Sequence, residues 1–249
     1  MNTNKDRLLN KVRIDYNLGM KNIAIILAGG LGARFKGREP KQFLKLGKKT
    51  LLEICLGRFQ NHRGICEIVL VCPKTHLARA KKLASAFPKV AQVLAGGKTR
   101  QESSAKGVQA LPAGVERVLI HDAARPLVSP GVIGRVLAAL ASASAVMPVL
   151  ALGDTTVRVG DNGAVLAVLD REKLRRVQTP QGFRADVMRR AHEMARAEGF
   201  TGAGDDCSLV LRYGLAPVVA VAGDPDNIKI TFPQDLSIAD SILRNQRNK

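Results

Sequence analysis

The regular alternation of short apolar runs with helical stretches constrains the fold more than any other feature of the chain. From Met20 onward, "IAIIL", "EIVLVC", "AQVL", "RVLIHD" and "AVMPVL" are short β-rich runs without polar alternation. Between them lie "TLLEICLGRF", "HLARAKKLASAF", "TRQESSAKGVQAL" and "SPGVIGRVLAAL", which read as helices. Thr50 is placed to cap the first, a Thr99-x-x-Glu102 capping box opens the third, and Ser129 precedes Pro130 at the start of the fourth. Strands that are apolar on both faces and alternate with helices form a parallel sheet covered on both sides. The expected fold class is α/β, a doubly wound, mostly parallel sheet.

The rhythm breaks after Leu150. "TTVRVGDNGAVLAVLDR" contains two β-patterned runs around Asp161–Asn162–Gly163, a strong hairpin signal. We expect an inserted β-hairpin arm at about 152–172, and such an arm packs on a neighbouring copy, so a homodimer is expected through it. Helices follow over 185–197 and 205–213, the second stopped by Gly214. "APVVAVAG" and "NIKITF" read as strands, and a last helix is expected with Thr231 as its cap and Gln234 three residues on. Residues 20–249 thus read as a single domain. Residues 1–19 are polar and charged and read as a flexible N-terminal extension, or as an upstream translation start.

The formal charge is +18, from 39 Lys and Arg against 21 Asp and Glu, which favours anionic partners. Aromatic residues are only 4% of the chain and Trp is absent, so an aliphatic core is expected and base-stacking surfaces are scarce. Together with the lack of a basic helix-in-groove tract, this argues for a phosphorylated small molecule and against nucleic acid. Cys55, Cys66 and Cys72 sit in apolar runs and no C-x-x-C pair occurs, so buried free thiols in a reducing compartment are expected. "MKNIAIILAGGLGA" superficially suggests a signal peptide, but a strand followed by a glycine loop explains it equally well. No run approaches the ~20 apolar residues of a membrane helix, and the expectation is a cytoplasmic protein without membrane contact.

Three stretches could carry chemistry. "LAGGLGARFKGREPKQFLKLG" (27–47) follows the first strand, and its glycines can present backbone N–H groups to phosphates. Phe35 stands at the third glycine position of the dinucleotide fingerprint, and no Walker A loop is present. A polyphosphate cradle with Arg34 and Lys41 neutralising charge, and a solvated surface turn, are both open readings of this stretch. "IHDAARP" places Asp122 at a strand's carboxyl end, where ligands of open parallel sheets bind. There it could hold a hard cation such as Mg²⁺, or simply cap a helix. "GDPDNIKITFPQD" and "DREKLRRVQTPQGF" supply Asp224, Asp226, Lys229, Arg171, Thr179 and Gln181 near other turns. His121 and His192 are read as structural, and no nucleophile–base set is apparent. Metal-assisted direct displacement is therefore preferred to covalent chemistry.

The order of "AGGLGARF…PKQFL", "GGKTRQESS", "HDAARP", "DTT", "VQTPQGF", "DDCSLV" and "GDPDNIKIT" resembles the 2-C-methyl-D-erythritol 4-phosphate cytidylyltransferase family. The resemblance runs from about Asn22 to the last helix and implies a Rossmann-like nucleotidyltransferase. It implies transfer of a cytidylyl group from CTP to a sugar-alcohol phosphate, with Mg²⁺ or another divalent cation. Ala28, Gly29, Gly30 and Gly32 match the loop that wraps the triphosphate. Arg34 and Lys41 match the pair that stabilises the transition state. Gly96 and Ser103 match the cytosine-recognising positions, and Asp122 the residue that meets ribose and metal. Arg171 and Lys229 match residues that position the attacking phosphate, with Arg125, Thr155, Thr179 and Asp226 around that substrate. The resemblance also implies that the arm crosses to a partner, so that Arg171 and Thr155 serve the neighbouring site.

Some positions depart from the family pattern. Gly29 replaces a common alanine, Val157 a frequent lysine, Arg175 a frequent tryptophan and Gly204 a threonine. Most of these fall on the arm or acceptor side, so CTP use is the firmer part of the expectation. A ribitol-5-phosphate cytidylyltransferase is the nearest alternative, which "HDAARP" disfavours. A non-catalytic polyanion- or nucleic-acid-binding protein exploiting the +18 charge is the distant one. A fused second domain is not expected.

Overall fold

Asn22–Leu27 forms β1, every residue of it buried, in a computed structural model that describes residues 21–29 and 39–247. The expected extension at 1–19 and most of the glycine loop, including Gly30, Gly32, Arg34, Lys36 and Arg38, lie outside the described residues. After β1 come the short β2 (Lys45–Leu46) and β3 (Lys49–Thr50), then α1 (Leu51–Gln60), β4 (Glu67–Cys72), α2 (Leu77–Ala84) and β5 (Val90–Ala95). The next elements are α3 (Arg100–Gln109), β6 (Arg117–Asp122), α4 (Pro130–Ala139) and β7 (Ala145–Ala151). The arm is β8 (Thr156–Val159) and β9 (Val165–Leu169), followed by β10 (Arg175–Val177), β11 (Gln181–Arg184) and α5 (Ala185–Glu198). The described chain closes with α6 (Asp206–Arg212), β12 (Val218–Ala222) and α7 (Gln234–Arg247).

β1 lies between β4 and β6, parallel to both, and β5 extends the parallel run beyond β4. On the other side β11 is antiparallel to both β6 and β7, and β10 runs along the same edge of β7 as β11. β12 adds to the opposite edge of β7 in parallel. Successive β1 side chains point to opposite faces and enter different cores. Ala24 and Ile26 join Leu52, Leu56, Ala80, Ile133 and Val136 from α1, α2 and α4. Ile23, Ile25 and Leu27 join Val108, Met188, Ala191, Leu209 and Val210 from α3, α5 and α6. The sheet is thus covered on both faces, as the unalternating apolar runs require. A third cluster of Leu46, Leu51, Leu127, Ile230 and Leu243 attaches α7 beside the site.

The structure corrects several expectations. "NIKITF" is not a strand: Ile230 N–H donates to the Ala124 carbonyl (2.8 Å), a single rung, while Ile230 fills the third core cluster. The last helix is not capped by Thr231, whose hydroxyl donates to the Lys229 carbonyl. The Asp235 carboxylate accepts instead from Thr231 N–H and Phe232 N–H (2.7 and 2.8 Å). At α3 only half the capping box forms. Thr99 Oγ1 accepts from Glu102 N–H, but Glu102 Oε2 accepts from Lys98 N–H rather than from the cap. Ser129 occupies the cap position of α4 without a side-chain hydrogen bond. Cys66 is exposed, because it precedes β4 rather than lying in it, while Cys55, Cys72 and Cys207 are buried. The core is not purely aliphatic, since Phe43, Phe59 and Phe183 are fully buried.

Candidate active site

β1 and β6 end side by side, with Leu27 paired to Asp122, and the space beyond their carboxyl ends is the site. Ala28 N–H donates to the Val71 carbonyl (2.7 Å), which ends the strand and turns Gly29 into a cavity of about 240 Å³. Lys41, Gln42, Gly97, Ser103, Asp122 and Lys229 are among its lining residues. A β-carbon on Gly29 would lie 3.6 Å from Ser103 Oγ, an ordinary contact, so the space also admits the family's common alanine. Gly97 has no such freedom, because a β-carbon would sit 2.3 Å from that of Glu102. Gly96 is crowded too, though less, with Ser103 Oγ at 2.8 Å. Ser103 Oγ accepts from Gly97 N–H and donates to the Thr99 carbonyl, which locks the glycine pair onto the first turn of α3.

Asp122 is held between cations. Arg100 Nε donates to one oxygen (3.0 Å) and Lys229 Nζ to the other (2.8 Å). Burial works to raise the Asp122 pKa, but the Arg100 guanidinium and the Lys229 ammonium overcome it and hold the carboxyl well below the usual range. Arg100 in turn pairs through Nη2 with Asp206 (2.8 Å), a fully buried carboxylate at the start of α6. Burial works against its charge, and the two carboxylates more than offset this, so its pKa rises. Ser104 donates to Asp206 Oδ1 (2.5 Å), and Ser104 Oγ, its proton thus used, accepts from His192 Nε2 (3.2 Å).

A second chain of hydrogen bonds fixes the Asp122 backbone. Asp122 N–H donates to Thr179 Oγ1 (3.2 Å), whose hydroxyl donates to His121 Nδ1 (2.9 Å). His121 Nε2–H donates to the Arg125 carbonyl (3.0 Å). Burial lowers the His121 pKa to about 4, which keeps the ring neutral and makes this donor–acceptor order possible. Arg125 donates to the carbonyls of Asn227 (2.8 Å) and Val177 (3.1 Å), leaving its Nε buried without a partner. It lines a second cavity of about 330 Å³ with Arg176, Gln178 and Lys229. Lys229 therefore borders both spaces. Lys41 Nζ donates to the Ile230 carbonyl (3.1 Å), next to Lys229 in sequence.

Of the sequence-derived residues, Ala28, Gly29, Lys41, Ser103, Asp122 and Lys229 are brought together around the first cavity, with Gly96 behind its wall. Arg125 and Lys229 meet at the second. Thr179 lies beneath, spending its hydroxyl on Asp122 and His121. Asp226 accepts from Gln246 (3.3 Å) and lines neither cavity. Arg171 and Thr155 lie exposed on the arm, away from both, with Arg171 donating to the Gly153 carbonyl (3.1 Å). Arg100 and Asp206 were not singled out from the sequence. One signal was available: a cation at the first position of a helix opposes the helix dipole and calls for a partner elsewhere.

No group of three or more metal-ligating side chains occurs among the described residues. Asp122 is one carboxylate with both oxygens engaged. It fits Mg²⁺ only as one ligand to an ion held chiefly by a substrate's phosphates, which is how this ion is commonly bound.

An open α/β sheet whose strand ends carry a glycine turn, a clamped aspartate and converging lysines is the framework of a nucleotide-handling transferase. The fold and the site both define that class. The chain belongs to the IspD family, 2-C-methyl-D-erythritol 4-phosphate cytidylyltransferase, whose model matches residues 22–245. It is 42% identical over 231 residues to the protein of that name from Thermobifida fusca, covering 89% of this chain and 92% of the other. The crystal structure of 4-diphosphocytidyl-2C-methyl-D-erythritol synthase from Anaerococcus prevotii is similar, with a TM-score of 0.81 at 29% identity. The match covers 91% of this chain and 99% of that one. The chain is also 37% identical to the bifunctional ribulose 5-phosphate reductase/CDP-ribitol pyrophosphorylase Bcs1 of Haemophilus influenzae, matching 91% of this chain and 49% of that protein.

Proposed function

We propose that the protein transfers the cytidylyl group of CTP to 2-C-methyl-D-erythritol 4-phosphate, releasing pyrophosphate, in non-mevalonate isoprenoid precursor synthesis. The observation that carries this is Lys229, which clamps Asp122 at the edge of one cavity and lines the second. In this reading the first cavity takes CTP, through Ala28, Gly29, Gly96 and Ser103, and the family resemblance adds Gly30 and Gly32 to the set. The second takes the sugar phosphate against Arg125 and Lys229, while Thr179 supports Asp122 from beneath and Asp226 stays outside the cavity. An oxygen of the acceptor phosphate attacks the α-phosphorus in line, a new P–O bond forms, and the bond to the leaving pyrophosphate breaks. Negative charge grows on the leaving oxygens and is spread over the equatorial ones. Lys41 neutralises that charge, a role the family resemblance also gives to Arg34, and Lys229 draws the attacking phosphate toward the α-phosphate.

Asp122 would hold Mg²⁺ jointly with the triphosphate, the ion supplying charge neutralisation. Lys229, the more exposed of the aspartate's two cationic partners, is the one placed to move aside for the ion.

The arm supports a homodimer. Val157 faces Val168 and Val159 faces Val165 across its two strands, and all four are exposed, Val168 by 69%. An apolar face of this kind on an isolated hairpin is a contact surface waiting for cover. In this reading Arg171 and Thr155 ride on the arm into the partner's acceptor cavity. We place the protein in the cytoplasm, in keeping with its four free cysteines. Among the described residues, no helix is long and apolar enough to cross a membrane.

Phosphorus NMR of the product tests the acceptor. Methylerythritol phosphate with CTP should give the two coupled resonances of a diphosphate diester. A diester formed only from ribitol 5-phosphate would instead assign the chain to the activity in the Haemophilus protein's name.

A further inference from the structure

Gln42 is the middle residue of the tight turn Lys41–Phe43 and is only 3% exposed, yet neither its Nε2 nor its Oε1 has a hydrogen-bond partner. The same side chain lines the first cavity. A buried carboxamide with no partner weakens the fold, because its donors and acceptor have left water without replacement. Nothing in the turn requires it. The backbone is closed by Phe43 N–H to the Pro40 carbonyl (2.9 Å) and Leu44 N–H to the Lys41 carbonyl (3.0 Å). The anchor is Phe43, which is buried, has the Arg79 guanidinium 4.1 Å over its ring and meets His76 edge-on at 5.7 Å. An apolar side chain of the same length would fill the space at lower cost. Such orphaned groups are rare in folded proteins, and one that borders a cavity points to a water, ion or ligand that completes it.

We propose that Gln42 is a phosphate-binding residue of this site, its Nε2–H donating to a phosphoryl oxygen of the bound nucleotide. The inference rests on the cytidylyl-transfer reading and adds to it a neutral donor beside the cationic ones. Lys41 precedes Gln42 in the same turn and Lys229 lines the same cavity, so the anionic part of the nucleotide lies at this end. Gly97 and Ser103 line the same cavity. A phosphoryl oxygen is an acceptor that matches the unpaired amide donor, and Oε1 is left to accept from a water carried in with the phosphates.

The test uses the full chain with Gln42→Met, which keeps length and removes both polar atoms, and Gln42→Glu, which replaces the donor with a repelling charge. Melting temperature is measured without nucleotide, and CTP affinity by calorimetry without acceptor. The expected result is opposite in sign on the two axes. Q42M melts higher than wild type but binds CTP about tenfold more weakly, the loss typical of one hydrogen bond to a charged group. Q42E binds CTP more weakly still. A merely structural glutamine cannot raise stability and lower affinity in one substitution. Unchanged CTP affinity in Q42M overturns the inference and leaves the cytidylyl reading standing. A lower melting temperature in Q42M also overturns it, since the carboxamide would then be satisfied by an ordered water only. Failure of the wild type itself to bind CTP would instead remove the functional reading beneath it.

Discussion

Asp122 shows how one side chain is tuned by neighbours that are distant in sequence. Lys229 lies 107 residues away and Arg100 22, yet the two divide its carboxylate oxygens between them. Asp206 pulls the far side of the Arg100 guanidinium away, so that only one nitrogen of it reaches Asp122. In the proposed reaction the catalytic weight falls on the cations that would meet phosphate. Lys41→Ala is expected to lower kcat by about 10²–10³, the usual loss when one charge-stabilising donor is removed, with little change in KM for CTP. Steady-state kinetics at saturating acceptor separate the two parameters. A variant that keeps its kcat and raises KM alone would make Lys41 a ground-state binder.

The elements that were readable in the sequence are those whose signal is local. Thr50 caps α1 through a complete box, its Oγ1 accepting from Glu53 N–H (3.2 Å) while Glu53 Oε2 accepts from Thr50 N–H (2.7 Å). Thr50→Ala should therefore cost about 1 kcal/mol in denaturant unfolding without altering the m-value. The parallel strands were equally legible, because burial on both faces leaves a run of Val, Ile and Leu that no exposed segment needs. "NIKITF" has the same composition, but its apolar residues serve a peripheral cluster and no neighbouring strand receives its backbone. β10 and β11 are illegible for the opposite reason: "RRV" and "QGFR" are short, and only their pairing makes them strands, β10 on β7 and β11 between β6 and β7. The glycine pair, Ser103, Asp122 and Lys229 could be found from motifs, whereas the Arg100–Asp206 pair and the orphaned Gln42 depend on packing that no local pattern records. The arm gives an independent test of the dimer. Val168→Glu places a charge at the centre of its exposed apolar face. It should shift sedimentation from dimer toward monomer while thermal stability of the protomer changes little. A variant that sediments like the wild type would show that the arm is not the interface.

For the molecule as a whole, buried histidine sets the acid limit of stability. His121 has a folded pKa of about 4, below the ordinary 6.5, so the unfolded chain binds the proton first. Its contribution is fully present above about pH 6.5 and is lost as pH falls toward 4, by up to about 3 kcal/mol. Burial lowers the pKa of His192 and His62 in the same sense. Urea unfolding between pH 7.5 and 4.5 should therefore show stability declining with acid, and a flat profile would mean that His121 is not buried neutral. The charge of +18 has a different role, drawing anions to the surface in a salt-dependent way that is not specific to CTP. Binding of polyphosphates alone is thus no test of function. The direct measurement is pyrophosphate release by the wild-type protein with CTP and Mg²⁺, with and without methylerythritol phosphate. The expected result is release that requires both CTP and the acceptor, one pyrophosphate for each acceptor consumed. Tight CTP binding with no pyrophosphate from either methylerythritol phosphate or ribitol 5-phosphate would contradict it.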